Sequence, residues 1–321
     1  MLWLGALLSF ALCFCLVPSV IALSWRIGAV DVPRDWRRMH HKSVPRAGGI
    51  AIFLAFAISC AVFGEASFLE RCALSGGALL LLLGLADDIF CLDAWVKLFF
   101  QVAIASASVL GCGVIRPENA FVAIFWVIAL TNAHNFIDGL DGLFAGCASI
   151  EGAALAAVFL LLGELRPALS PLLLAASCLA FRHYNRHPAR LFAGDCGSGT
   201  VGFLLGMFSL PLLSDLTPRF ALLTPLLLFA YPLTDLFTAV VRRMLRGKSP
   251  FAADRAHFHH RICAAGLTHP QCAGVLLLIC LGLASLGVAL ATDGCFLLGS
   301  LLSLCVALLL IRIRQFILDF S

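Results

Sequence analysis

Apolar residues in this chain run in long blocks, broken by five short polar islands at 31–49, 87–97, 132–142, 184–199 and 242–261. Uninterrupted apolar runs of about 18 residues or more read as helices crossing a hydrocarbon core about 30 Å thick. The blocks predict about eleven such spans, at 2–24, 48–64, 73–86, 98–115, 120–133, 143–163, 171–182, 201–214, 220–241, 271–292 and 295–312. Several are short for the core, so their ends should continue into the polar motifs beside them. The expected fold is all-α: a polytopic integral membrane helix bundle, forming a single domain over residues 1–321.

The first block has no basic segment before it and no small-residue cleavage site, and its positive flank begins at Arg26. That predicts a retained helix with its N-terminus outside rather than a cleaved signal peptide. Alternating the spans from there leaves only Arg71, Arg116, Arg166 and Arg219 of the 22 Lys and Arg residues outside. Such an excess of positive charge on the inner side is what sets orientation in membranes. The same alternation puts every polar island, and the C-terminus, on the cytoplasmic face. The outer connections are short, so chemistry is expected to face the cytosol.

Composition agrees. With 61% hydrophobic and 12% charged residues and a mean hydropathy of +1.01, the chain is unlike soluble domains, which carry about 25% charge. Its 14 cysteines form no CxxC pair and no Cys/His zinc spacing. Most lie inside apolar blocks, where cysteine acts as a small hydrophobe, so no disulfide framework is expected.

The islands carry more than loops require. Asp87 and Asp88 end the third span, where paired carboxylates repel each other and oppose the helix dipole. A cation, a basic neighbour or a raised pKa would relieve that cost; the plain alternative is a solvated helix end with Asp88 as an N-cap. NAHNFIDGLDG holds Asn132, Asn135, Asp138 and Asp141 among turn-forming glycines, and offers the oxygen ligands that Mg²⁺ prefers. In LFAGDCGSG, Asp195 stands among glycines at the start of a span whose positive end suits an anion. Ser198 as a simple helix cap is the bland reading.

Arg242–Arg261 is basic and ends in His257, His259 and His260, which suit phosphate recognition or proton handling. Zinc at those histidines lacks a second Cys/His cluster. Within the preceding span, helical spacing puts Asp235 and Arg242 on one face, as a candidate buried pair. The first island carries Arg37, Arg38, His40, His41, Lys42 and Arg46, a basic surface for anionic lipid or for a lipid phosphate. Glu151 is the one candidate acid at the middle of a span.

In matching order over residues 31–262, these islands resemble the polyprenyl-phosphate N-acetylhexosamine-1-phosphate transferases. The strongest matches are the Asp87–Asp88 pair with Lys97 and Gln101, NAHNFIDGLDG, LFAGDCGSG and SPFAADRAHFHHR. The last motif looks most like the branch using UDP-N-acetylglucosamine. The chain departs from the pattern in one extra residue between Asp31 and Arg37, in Ser43 where proline is common, and in Cys196 after Asp195.

Carried onto matching positions, the resemblance implies Mg²⁺ at Asp195 with Asn135 as co-ligand, and Mn²⁺ as a substitute ion. It implies catalytic roles for Asp87, Asp88 and Asp195, with the aspartate pair near the lipid phosphate. Substrate contacts would come from Lys97, Asp138, Asp141, Phe192, Arg243, His257, His259 and His260. Phe192 would stack on uracil, and Asp141 with the Gly139–Leu140 backbone would recognise the nucleoside.

The implied reaction moves a sugar-1-phosphate, GlcNAc-1-phosphate in the first instance, from a UDP-sugar to undecaprenyl phosphate in the bacterial inner membrane. The expected partners are those two substrates, the lipid bilayer and a second copy of the chain in a homodimer, with no nucleic acid. Related donors such as UDP-FucNAc, UDP-QuiNAc or UDP-MurNAc-pentapeptide stay open. A transporter is the alternative of a different class, because buried acids serve as ion relays in membranes. It rests on Glu151 alone, and no internal repeat supports it.

Overall fold

A computed structural model describes residues 1–32, 43–64, 67–214, 223–249, 262–263 and 266–291. The long helices are α1 (Leu2–Ile27), α2 (Gly49–Phe63), α3 (Phe68–Phe90), α4 (Ala94–Gly111), α5 (Ala120–Ile137), α6 (Leu143–Leu161), α7 (Leu165–Asn185) and α8 (Asp195–Leu213). A six-residue α9 (Leu223–Leu228), α10 (Ala230–Leu245) and α11 (His269–Ala291) follow. The only described strands, β1 (Val30–Asp31) and β2 (Val44–Pro45), form one antiparallel pair. Seven described helices are long and apolar enough to cross a membrane, and the protein is a multi-pass membrane helix bundle.

The first nine predicted spans and the tenth each meet described helix, while 295–312 lies outside the described residues. The short spans lengthen as expected. The third runs on through Asp87 and Asp88 to Phe90, and the eighth begins at Asp195. The ninth, 220–241, differs: it breaks at Phe229 into α9 and α10. Pro232 has no N–H to give the Leu228 carbonyl, so the ladder loses a rung at that point.

Burial ranks the helices. In α8, 83% of the apolar stretch is buried, against 17% in α4, so α8 is the central post and α4 faces outward. α8 packs along α3 and α5 and also touches α2. Glycines bring the first of these contacts close. A Cβ on Gly84 of α3 would lie 2.4 Å from Cys196 Cα of α8. Trp126 of α5 donates from its indole N–H to Ser209 Oγ of α8 at 2.9 Å, a buried bond that ties α5 to the post.

Glu151 is fully buried but partnered. Its Oε2 lies 2.7 Å from Nε2 of the equally buried His134, whose Nδ1 lies 2.9 Å from the Leu130 carbonyl. Nδ1 facing a carbonyl must carry a proton. A contact of 2.7 Å between Nε2 and the carboxyl is a hydrogen bond, whichever of the two atoms donates. Cys280 of α11 reaches the other Glu151 oxygen at 3.7 Å. The acid that favoured a transporter therefore joins α5, α6 and α11. Glu151→Leu, which strands His134, should cost about 3–5 kcal/mol, as breaking buried pairs does. Glu151→Gln, which keeps a hydrogen bond, should cost far less, and His134→Leu with Glu151→Leu should recover most of the loss. Melting in detergent measures all three; equal melting of the two single variants would show that the pair is idle.

Candidate active site

The site forms where the polar islands carrying Arg46, Asp87 to Lys97, and Asn135 meet the first turn of α8. Asp88 is the anchor. Its side chain is fully buried. Its Oδ1 accepts the Asp195 backbone N–H at 3.0 Å and its Oδ2 that of Cys196 at 3.1 Å. A helix begins with unsatisfied N–H groups and a partial positive charge; here a carboxylate from the end of α3 answers both. The next two donors, the N–H groups of Gly197 and Ser198, return to the Gly194 carbonyl. The anion that this helix end was expected to suit is thus Asp88 itself. Nor is Asp88 the cap of its neighbour α4, a role taken by Asp93, whose Oδ1 accepts the Trp95 N–H at 2.8 Å.

Gly194 makes the approach feasible. It sits at φ +73°, and a Cβ there would lie 2.4 Å from Asp88 Oδ2 and 2.3 Å from the Arg46 carbonyl. Only glycine meets both demands.

Two cations balance the carboxylates. Lys97 Nζ of α4 bridges Asp87 Oδ2 at 2.8 Å and Asp195 Oδ2 at 3.1 Å. Arg46 Nη2 bridges Asp88 Oδ1 at 2.7 Å and Asp195 Oδ1 at 3.2 Å. The paired acids at the end of α3 are therefore not a solvated helix end. They are buried and relieved by basic neighbours, while Asp87 Oδ1 also accepts the Leu92 N–H at 2.8 Å. Burial works against the Arg46 charge, but Asp88, then Asp195, Asp138 and Asp87, outweigh it and hold its pKa above the ordinary value.

Arg46 is the site residue that sequence reading missed, having grouped it with a general basic surface. Backbone pairing fixes it. Its N–H donates to the Ala29 carbonyl at 2.9 Å, the Phe192 N–H reaches the Pro45 carbonyl at 2.8 Å, and the Gly48 and Gly49 N–H groups return to Phe192 and Ala193 at 3.0 Å. The first island is thereby stitched to the strand-like run before α8. Arg37, Arg38, His40, His41 and Lys42 lie outside the described residues.

From α5, Asn135 donates from Nδ2 to Asp195 Oδ2 at 3.3 Å and accepts from Ser198 Oγ at 2.7 Å. Ser198 also bonds the Gly194 carbonyl at 3.0 Å, so it steadies Asn135 while closing the first turn of its helix. Asn132, one turn earlier, pairs with Gln101 of α4 at 3.0 Å. Asp138 caps the C-terminal end of α5. Its carboxyl is pushed well above its ordinary pKa by burial and then by the charge of Asp195.

Other expected contacts stand further out. Asp141 Oδ2 accepts the Ala189 N–H at 3.2 Å and lies 2.8 Å from His187 Nδ1. Phe192 is half-buried in the run leading to Asp195. Arg243 of α10 is buried, with its guanidinium over the Phe136 ring at 5.1 Å. That brings α10 to the residue beside Asn135. His257, His259 and His260 fall outside the described residues.

Comparison with known proteins identifies the family. Residues 71–212, which contain Asp87, Asp88, Lys97, Asn135 and Asp195, match glycosyl transferase family 4. A probable undecaprenyl-phosphate N-acetylglucosaminyl 1-phosphate transferase of Bacillus subtilis (strain 168) is 34% identical over 280 residues, covering 82% of this chain and 78% of its own. The chain belongs to glycosyl transferase family 4.

Two further relatives of this family-4 protein extend the likeness across bacteria. The decaprenyl-phosphate N-acetylglucosaminephosphotransferase of Mycolicibacterium smegmatis is 33% identical, covering 84% of this chain and 77% of its own. The undecaprenyl-phosphate alpha-N-acetylglucosaminyl 1-phosphate transferase of Escherichia coli (strain K12) is 30% identical, covering 82% and 77%. The aligned shares reach well beyond the matched core of the family-4 protein.

The oxygen-rich donor set fits a hard divalent ion. Asp195 presents two carboxylate oxygens, with Asp87 held beside it through Lys97. Turning the Asn135 amide over exchanges its O and N positions. That would aim Oδ1 at the side of Asp195 now met by Nδ2, and Ser198 can serve as donor or acceptor in either arrangement.

Proposed function

We propose that this protein transfers a sugar-1-phosphate, GlcNAc-1-phosphate in the first instance, from a UDP-sugar to undecaprenyl phosphate. UMP leaves, and a lipid-diphosphate-sugar remains to start a cell-surface polysaccharide. The observation that carries the reading is the meeting of Asp87, Asp88, Asp195, Asn135, Lys97 and Arg46 at one helix end. The family membership supports it, as do the relatives' names. The reading places the site on the cytoplasmic side of a bacterial inner membrane, with about eleven spans and the N-terminus outside.

In this reaction an oxygen of the lipid phosphate forms a bond to the β-phosphorus of the donor. The bond from that phosphorus to the bridging oxygen breaks, and its electron pair leaves on UMP. Both reactants are anions, so repulsion is the first obstacle. Asp195 with Asn135 would hold Mg²⁺, which supplies positive charge against the phosphates. Lys97 and Arg46 bring two fixed cations to the same place and need no reorganisation when charge moves to the leaving group.

The acceptor phosphate is already ionised near neutral pH, so the reaction needs positioning more than a strong base. Asp88, with both oxygens engaged by backbone N–H groups, serves as an organiser of α8 and Arg46 rather than as a nucleophile. We assign Phe192 and the Gly139–Leu140 backbone to the nucleoside end, and Arg243 with the 257–260 histidines to the sugar and diphosphate end.

Purified protein given undecaprenyl phosphate, Mg²⁺ and a panel of UDP-sugars tests the donor. Mass analysis should find GlcNAc on the lipid diphosphate. A product only from UDP-FucNAc, UDP-QuiNAc or UDP-MurNAc-pentapeptide would keep the chemistry and replace the sugar.

A further inference from the structure

A second group of metal-ligating side chains stands apart from Asp195: the resemblance gives one member, Asp141, to nucleoside contact, and the two histidines have no part in the transfer described above. Asp141 lies in the turn after α5, His187 in the loop after α7, and His269 at the first position of α11. Each offers one ligand atom, and the three atoms lie within 4.8 Å of one another. His187 Nδ1 is 2.8 Å from Asp141 Oδ2, and the rings of His187 and His269 are 5.2 Å apart, tilted by 56°. The Ala189 N–H donates to the same Asp141 oxygen at 3.2 Å, fixing the carboxylate from behind as outer partners do in metal sites.

The donor set separates this group from the catalytic one. Carboxylate and amide oxygens suit Mg²⁺, whereas two imidazoles and a carboxylate suit zinc, which takes such triads with a fourth position left to water. We propose that Asp141, His187 and His269 bind a zinc ion. With bonds of about 2.0–2.2 Å the ligand atoms of a tetrahedral site lie roughly 3.3–3.5 Å apart. The Asp141–His187 edge is already shorter than that, and the others close by rotation of side chains that are not buried. Zinc takes its ligands in their deprotonated forms, so binding the ion competes with protons.

Once bound, the ion joins three chain segments: the turn after α5, the α7–α8 loop that carries Phe192 to Asp195, and the head of α11. It acts as a clip on the loop that presents Asp195. Sequence spacing gave no sign of this, because 46 residues separate Asp141 from His187 and α11 begins far beyond.

Detergent-purified protein stripped with a chelator, then titrated with Zn²⁺ in excess Mg²⁺, tests the proposal without using activity. One tightly held zinc per chain is expected. It should persist in Asp195→Asn and weaken by about 100-fold or more in His187→Ala and in His269→Ala. Co²⁺ in the wild-type protein should give the strong visible absorption of a four-coordinate ion, a readout that no variant's folding can spoil. No tight zinc, equal zinc in wild type and both histidine variants, or a six-coordinate cobalt spectrum would each overturn the site.

Discussion

Asp195→Asn should lower UMP release by about 10²–10³-fold or more, the scale on which removing a preorganised charge-stabilising group acts, while the protein still inserts and melts near the wild-type temperature. Asp195 is the one carboxylate that meets every other element of the site: Lys97 and Asn135 at Oδ2, Arg46 at Oδ1, and Asp88 through its own N–H. The substitution keeps that N–H and the side-chain shape, so α8 still has its cap. What it removes is a negative oxygen, and with it most of the affinity for a hard divalent ion. Turnover of the purified variant decides the matter, and wild-type rates would take Asp195 out of the mechanism.

Asp88 should behave differently. Asp88→Asn keeps one oxygen to accept an N–H of Asp195 or Cys196 and loses the charge facing Arg46; activity should fall by about 10–100-fold, the cost of one to three kcal/mol in charge-assisted bonding. Asp88→Ala removes the cap and leaves Arg46 leaning on Asp195 alone. It should cost about 1–2 kcal/mol of stability, as lost helix caps do, and reduce turnover well beyond the asparagine variant. A covalent nucleophile would show no such gradation, because neither substitution could form the intermediate. Rates and melting of the two variants side by side separate an organiser from a nucleophile.

The helices were legible because apolar blocks of spanning length have few other solutions in a bilayer. Their ends were harder to place, since the apolar runs stop short of Asp87, Asp88 and Asp195, which continue α3 and begin α8 as the short spans required. Their charge is met by Lys97 and Arg46, partners distant in sequence. The motifs also named most of the site, and the chemistry of paired acids at a helix end asked for the basic neighbours found there.

Arg46 was hidden among six other basic residues that topology alone explains. The His134–Glu151 pair was hidden for the opposite reason: each residue looked solitary, and only the α5–α6 contact joins them. The break at Phe229 had a local signal in Pro232 that the apolar run masked. The two-residue strands carry no pattern of their own and exist because 44–49 must reach 192–193.

The account stands on a phosphoryl group, sugar attached, passing from one anion to another at the head of α8. Supplying purified protein with undecaprenyl phosphate and a UDP-sugar labelled at the β-phosphorus follows that group directly. The label should enter the lipid, with one unlabelled UMP released for each lipid-diphosphate-sugar formed. Labelled UDP released beside a lipid carrying only a single phosphate would mean that the sugar moves without its phosphate, and would contradict the account.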